Sequence, residues 1–232
     1  MTISHRPALV LTALLTALAA GCGGGGGSSG GGGGPIPPPG PAAPIRLADG
    51  AVTGLDDQFI PVDGNSASGG QGQPVAGVSC GPSNITYHIH LHVSFFVNGT
   101  RLAIPDAIGV VNPGPEVNGI TNTGSCFYRL HTHDAQGLIH VEAAAVTNYT
   151  LGQLFDIWGQ PLSQNNIAGH AGTVQVYVAP PASSGSLSTG AFALYSGDPR
   201  AIPLQSHQEI VLEVGPTFVV PPGLSQIIFQ YN

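Results

Sequence analysis

The chain has 232 residues, of which only 7% are charged; none is lysine, and the five cations are Arg6, Arg46, Arg101, Arg129 and Arg200. A net charge of −7 with so few cations excludes a partner such as nucleic acid, which needs a basic face. Glycine (35) and proline (21) together supply 56 residues, which excludes a mainly helical protein and favours short strands and turns.

Arg6 precedes an apolar run, Ala8–Ala20, of signal-peptide length and too short for a membrane span. Residues 1–21 are therefore read as a signal. The segment Leu18-Ala19-Ala20-Gly21-Cys22 resembles the processing site of bacterial lipoproteins. The resemblance implies lipidation at Cys22, a membrane anchor, and a place in the cell envelope facing the periplasm or the cell surface. The alternative is an ordinary secretory signal with a stray cysteine. Residues 22–45 are a Gly/Pro-rich tether that buries no apolar surface and cannot fold alone. Residues 46–79 form a poorly ordered extension, and residues 80–232 a His-rich β domain.

Tyr87–Phe96 (YHIHLHVSFF) alternates with period two. Ile89, Leu91, Val93 and Phe95 share a core face; His88, His90, His92 and Ser94 share the other. Asn98-Gly99 signals a two-residue hairpin that sets Phe95 opposite Leu102. Pro105 ends the returning strand. Residues 112–124 are a loop, either a lid over the histidine face or a plain connection. In Phe127–Glu142 (FYRLHTHDAQGLIHVE) the turn Asp134–Gly137 sets His133 opposite Leu138, His131 opposite His140 and Arg129 opposite Glu142. His131, His133 and His140 then converge on one face.

Thr150–Gly159 is the one good helix: Thr150 and Gln153 have capping-box spacing, Leu151, Leu154, Phe155 and Trp158 form an apolar stripe, and Gly159 stops it. Thr173–Val178, Phe192–Tyr195 and Glu209–Val214 read as strands, with a polar turn at Ser183–Ser188 and an edge strand at Gln226–Tyr231. The fold expected is mainly β: an antiparallel β-sandwich or barrel with one short amphipathic helix.

Six of the nine histidines lie on the two strand segments. Cross-strand Cβ atoms are about 4.5–5.5 Å apart, so imidazoles on neighbouring strands can reach one ion. The expected metal ligands are His131, His133 and His140, joined by one or more of His88, His90 and His92 if the first strand is adjacent. Glu142 either ligates or orients a histidine, or pairs with Arg129. Imidazole suits Zn and Cu. No methionine follows Met1, which excludes a thioether copper site in the mature chain. Cys80 and Cys126 each precede a His-bearing strand; they form a disulfide or, as the alternative, supply a thiolate ligand.

The stretches YHIHLHVSFFVNG, CFYRLHTHDAQGLIHVE, YTLGQLFDIWGQPLS and SGDPRAIPLQSHQEIVLEVG resemble a family of exported bacterial proteins and lipoproteins of unassigned function. That resemblance implies an extracytoplasmic place and no particular activity. His131-x-His133 with a later His140 and Glu142 is also similar to cupin metal motifs, although the spacing to Glu142 departs from theirs. Three functions follow: a tethered protein that binds a metal for capture, buffering or delivery; a metal enzyme whose open coordination position activates water or dioxygen, with Glu142 or Asp134 as base; or a structural envelope domain. No protein partner is legible.

Overall fold

The computed structural model describes residues 45–46, 60–61, 69–81, 84–179 and 192–220, all within the unit Pro39–Asn232. The signal, Cys22, nearly all of the tether, the turn Ser183–Ser188 and the strand Gln226–Tyr231 lie outside them. The strands in chain order are β1 (Ile45–Arg46), β2 (Ile60–Pro61), β3 (Tyr87–Val97), β4 (Thr100–Ala103), β5 (Val110–Val111), β6 (Cys126–Phe127), β7 (Leu130–His131) and β8 (Leu138–Ala143). After helix α1 (Leu151–Trp158) come β9 (Asn166–Ile167), β10 (His170–Ala171), β11 (Thr173–Ala179), β12 (Ala193–Leu194), β13 (Glu209–Gly215) and β14 (Val219–Val220).

β3 positions everything else. Its first half, Tyr87 to His92, pairs antiparallel with β8; its second half pairs antiparallel with β4; its other edge runs parallel to β13 from His92 to Val97. The main sheet follows the path β12-β11-β13-β3-β4-β2, with β8 joined to β3 and β7 to β8, and it does not close into a barrel. The protein is mainly β and sandwich-like, with one helix. Two ladders of the main sheet, β3–β13 and β2–β4, are parallel among otherwise antiparallel ones, and the separate β1–β14 pair is parallel as well.

Asn98 and Gly99 both take positive φ (50° and 79°), the geometry of a type I′ hairpin turn, and Phe95 faces Leu102 as the turn dictates. Leu91, Phe95, Leu130, Ile139, Ile210 and Leu212 are fully buried in the same cluster as Leu151, Leu154, Phe155 and Trp158 of α1. Each such side chain contributes about 1.5–3 kcal/mol on burial, so the apolar side of the histidine strands is rigidly backed. Thr150 and Gln153 form a reciprocal capping box, and Gly159 ends α1 in the left-handed region. Cys80 and Cys126 are disulfide-bonded, with Cα atoms 5.8 Å apart, so neither is a thiolate ligand. Residues 69–79, read from the sequence as poorly ordered, are packed onto the domain: Val78 is buried, and Gly70 N donates to Ile157 O.

Candidate metal centre

β8 lies between β7 and β3, and that order builds the site. His131 pairs with His140, and His140 pairs with His90, so three imidazoles form a row across three strands. The register expected from the Asp134–Gly137 turn holds at His131, and Glu142 N donates to Arg129 O. The ladder ends there, however, and His133 does not face Leu138 as expected. Thr132 turns out of it, its N–H donating to Ile108 O and its hydroxyl to Pro105 O. His133 is thereby carried over the row. Gly137 allows the turn: its φ is +91°, and a Cβ there would meet Val93 O at 2.3 Å.

Five histidines form two groups whose possible ligand atoms lie within 4.8 Å of one another: His131, His133 and His140; and His88, His90 and His140. In the first, Nε2 of His131 and Nε2 of His133 are 3.1 Å apart. Nδ1 of His131 lies 2.8 Å from Tyr128 O, and Nδ1 of His133 lies 2.6 Å from Thr121 O. A carbonyl only accepts, so both Nδ1 atoms carry hydrogen. In the neutral rings both Nε2 atoms then present lone pairs to each other, and two acceptors cannot bond. A cation between them removes the conflict. Donors at 2.0–2.1 Å from a tetrahedral ion are separated by about 3.3 Å, close to the spacing seen. Carbonyl partners on the far nitrogen are also what orients metal-bound histidines.

In the second group, Nε2 of His90 and Nε2 of His88 lie 3.1 and 3.4 Å from Nδ1 of His140. Glu142 Oε1 is 3.3 Å from His88 Nε2, so Glu142 flanks this group. His92 does not join either one. Its Nε2 donates to Gln136 O (2.7 Å), and its Nδ1 shares a proton with Glu209 Oε2 (2.6 Å), so neither nitrogen has a lone pair to offer. The reason is register: β8 sets Leu138 rather than a histidine opposite His92, and β13 brings Glu209 to its other side. His170 packs on Phe95 and His207 sits in the turn before β13, both outside the two groups.

Burial, and then the charge of His133, push His131 down to about 3; burial, and then the charges of His131 and His90, push His140 down to about 2. Both rings stay neutral, as ligands must. In the unfolded chain they would take up protons near 6.5, so stability from keeping them neutral is complete above pH 6.5 and is lost as pH falls toward 3. Glu213 works in the opposite sense: burial raises it to about 7, so its contribution is complete below about 4.5 and is lost as pH rises to 7. The metal-free protein is therefore expected to lose stability gently between pH 6.5 and 4.5 and more steeply below, by up to about 1.4 kcal/mol per pH unit for each histidine. Urea unfolding across pH checks this, and a profile flat from pH 6.5 to 3.5 contradicts it.

A cavity of about 150 Å³ opens beside the first group, lined by His133, His140, Asp134, Ile120, Asn122 and Leu138. Burial raises the Asp134 carboxyl. Loop 112–124 thus does more than connect, since Thr121 orients His133 and Ile120 and Asn122 wall the cavity. Phe127 packs against the first group, its ring centroid 5.3 Å from His131 and 5.7 Å from His133. Sequence reasoning missed Thr121 and Tyr128, which act through backbone carbonyls and leave no side-chain signal. It also missed Glu209, whose place beside His92 depends on a pairing distant in sequence. Among the described residues, no helix is long and apolar enough to cross a membrane. No family model matches the chain, and neither a curated protein nor a solved structure matches it.

Proposed function

We propose that the chain is a metal-binding protein of the cell envelope, held to a membrane through Cys22, that captures, buffers or delivers a transition metal, Zn²⁺ or Cu²⁺. The observation that carries this reading is the pair of facing Nε2 atoms, 3.1 Å apart, on His131 and His133. Each is fixed as an acceptor by a carbonyl bond on its other nitrogen. His140 supplies the third donor. An all-imidazole set favours Zn²⁺ or Cu²⁺ over Ca²⁺ or Mg²⁺, which take oxygen. The envelope location rests on the lipoprotein-like segment ending at Cys22, and membership of the exported family on the four motif stretches.

A second reading is a metal enzyme. The cavity beside His133 and His140 favours it, because three protein ligands and an open fourth position are the form of catalytic zinc sites. Water bound there would have Asp134 nearby as a proton acceptor. A purely structural domain leaves the facing lone pairs without purpose.

The test is metal analysis of the full chain purified without a histidine tag, followed by Zn²⁺ and Cu²⁺ titration of the stripped protein. At least one ion per chain is expected, with stabilisation of about 2.7 kcal/mol when free metal is 100 times Kd. A stripped protein whose Tm ignores both ions would overturn the reading.

A further inference from the structure

We propose that the histidine cluster holds two metal ions rather than one, with His140 as a ligand shared between them; this rests on the metal-binding reading above. The two ligand groups have His140 in common and no other member. One is gathered about Nδ1 of His140, with Nε2 of His90 at 3.1 Å and Nε2 of His88 at 3.4 Å. The other is gathered about the facing Nε2 atoms of His131 and His133. The His140 ring stands edge-on to His90 at 86° and to His133 at 87°, and nearly parallel to His131 at 14°. Because β8 is the middle strand, His140 has His131 on one neighbour and His90 on the other, with ring centroids 5.3 and 4.4 Å away, and so stands between the two sets of donors. The two lone-pair directions of one imidazole diverge, so a single ion cannot use both nitrogens of His140, but two ions on opposite edges can.

Each ion then has its own donor set. The inner one takes His131, His133 and His140 Nε2, and its fourth position faces the cavity of about 150 Å³. The outer one takes His88, His90 and His140 Nδ1. Glu142 Oε1, at ligand-to-ligand distance from His88 Nε2 (3.3 Å), completes a three-nitrogen, one-oxygen set. Zn²⁺ and Cu²⁺ both accept that mixture. As the second ion binds, the remaining ring proton of His140 passes to solvent and a nitrogen–metal bond takes its place, leaving a bridging imidazolate. Of the five histidines only His88 is exposed, whereas His131 of the inner set is buried and His133 and His140 are half-buried, so the outer ion is the one that exchanges more readily with solvent.

The experiment is a Cu²⁺ titration of the metal-free full chain, read by bound stoichiometry and electron paramagnetic resonance. The first equivalent is expected to give an isolated Cu²⁺ signal. The second should diminish it, because an imidazolate couples the two spins. His88→Ala/His90→Ala is expected to bind one Cu²⁺ with an undiminished signal, and His140→Ala to abolish the coupling. One ion per wild-type chain overturns the two-ion proposal and leaves the metal-binding reading standing; none overturns both. Two ions with fully additive, uncoupled signals overturn the shared ligand.

Discussion

Replacing His131 and His133 together by alanine is expected to weaken Zn²⁺ binding at the inner site by at least about 100-fold. Loss of a partner that merely orients a ligand already costs 10–100-fold, and here two of three ligands go. The double variant keeps β7 and β8 paired, because their ladder is made by backbone groups and by Leu130 and Val141 on the opposite, buried face. It should therefore fold, and its far-ultraviolet circular dichroism should match the parent. Only ion uptake should fall, to at most the one ion that His88 and His90 can hold. Competition against a chromophoric zinc chelator measures this. A variant that retains the parent's affinity and stoichiometry would remove these two residues from the site.

Glu209→Ala is expected to destabilise the protein by about 3–5 kcal/mol, because two buried polar groups each lose their partner at about 1–3 kcal/mol apiece, more where a charge is involved. Glu209 is fully buried; it accepts from the Ser94 hydroxyl at 2.8 Å as well as sharing a proton with His92. The substitution strands both partners in the interior. For a domain of this size, Tm should fall by roughly 10 °C or more. His92→Leu/Glu209→Leu should cost less than Glu209→Ala, because an apolar pair refills the space and leaves no ionisable group buried, although the Ser94 hydroxyl and the Gln136 carbonyl lose these partners. His92 also holds the carbonyl of Gln136 in the turn that carries His133 and His140. The single substitution is accordingly expected to loosen metal binding as well as the fold. Thermal unfolding of the parent and the two variants decides it, and a Glu209→Ala loss below about 1 kcal/mol would show that the pair contributes little.

What the sequence made legible was local. Alternation along Tyr87–Val97 marks the strand and its two faces, Asn98-Gly99 fixes the hairpin, and Thr150, Gln153 and Gly159 bound the helix. The spacing about Asp134–Gly137 placed His131 against His140, and an even cysteine pair in an export-like context pointed to the disulfide. What stayed hidden depends on partners distant in the chain. Period two puts His92 on the ligand face, but it cannot say that Glu209, 117 residues later, lies beside it on a parallel strand. Nor could it show His133 leaving the ladder, since that follows from Thr132 bonding to Pro105 and Ile108. The carbonyls of Thr121 and Tyr128, which fix the tautomers of two ligands, belong to the backbone and would be the same for any residue there.

X-ray absorption at the zinc edge of the fully loaded, untagged chain is the most direct measurement. Histidine ligation requires a nitrogen-dominated shell at 2.0–2.1 Å with the outer-shell scattering of imidazole rings, lost in part from His131→Ala/His133→Ala. A shell of oxygen alone, without imidazole scattering, would mean that the converging rings do not hold the ion.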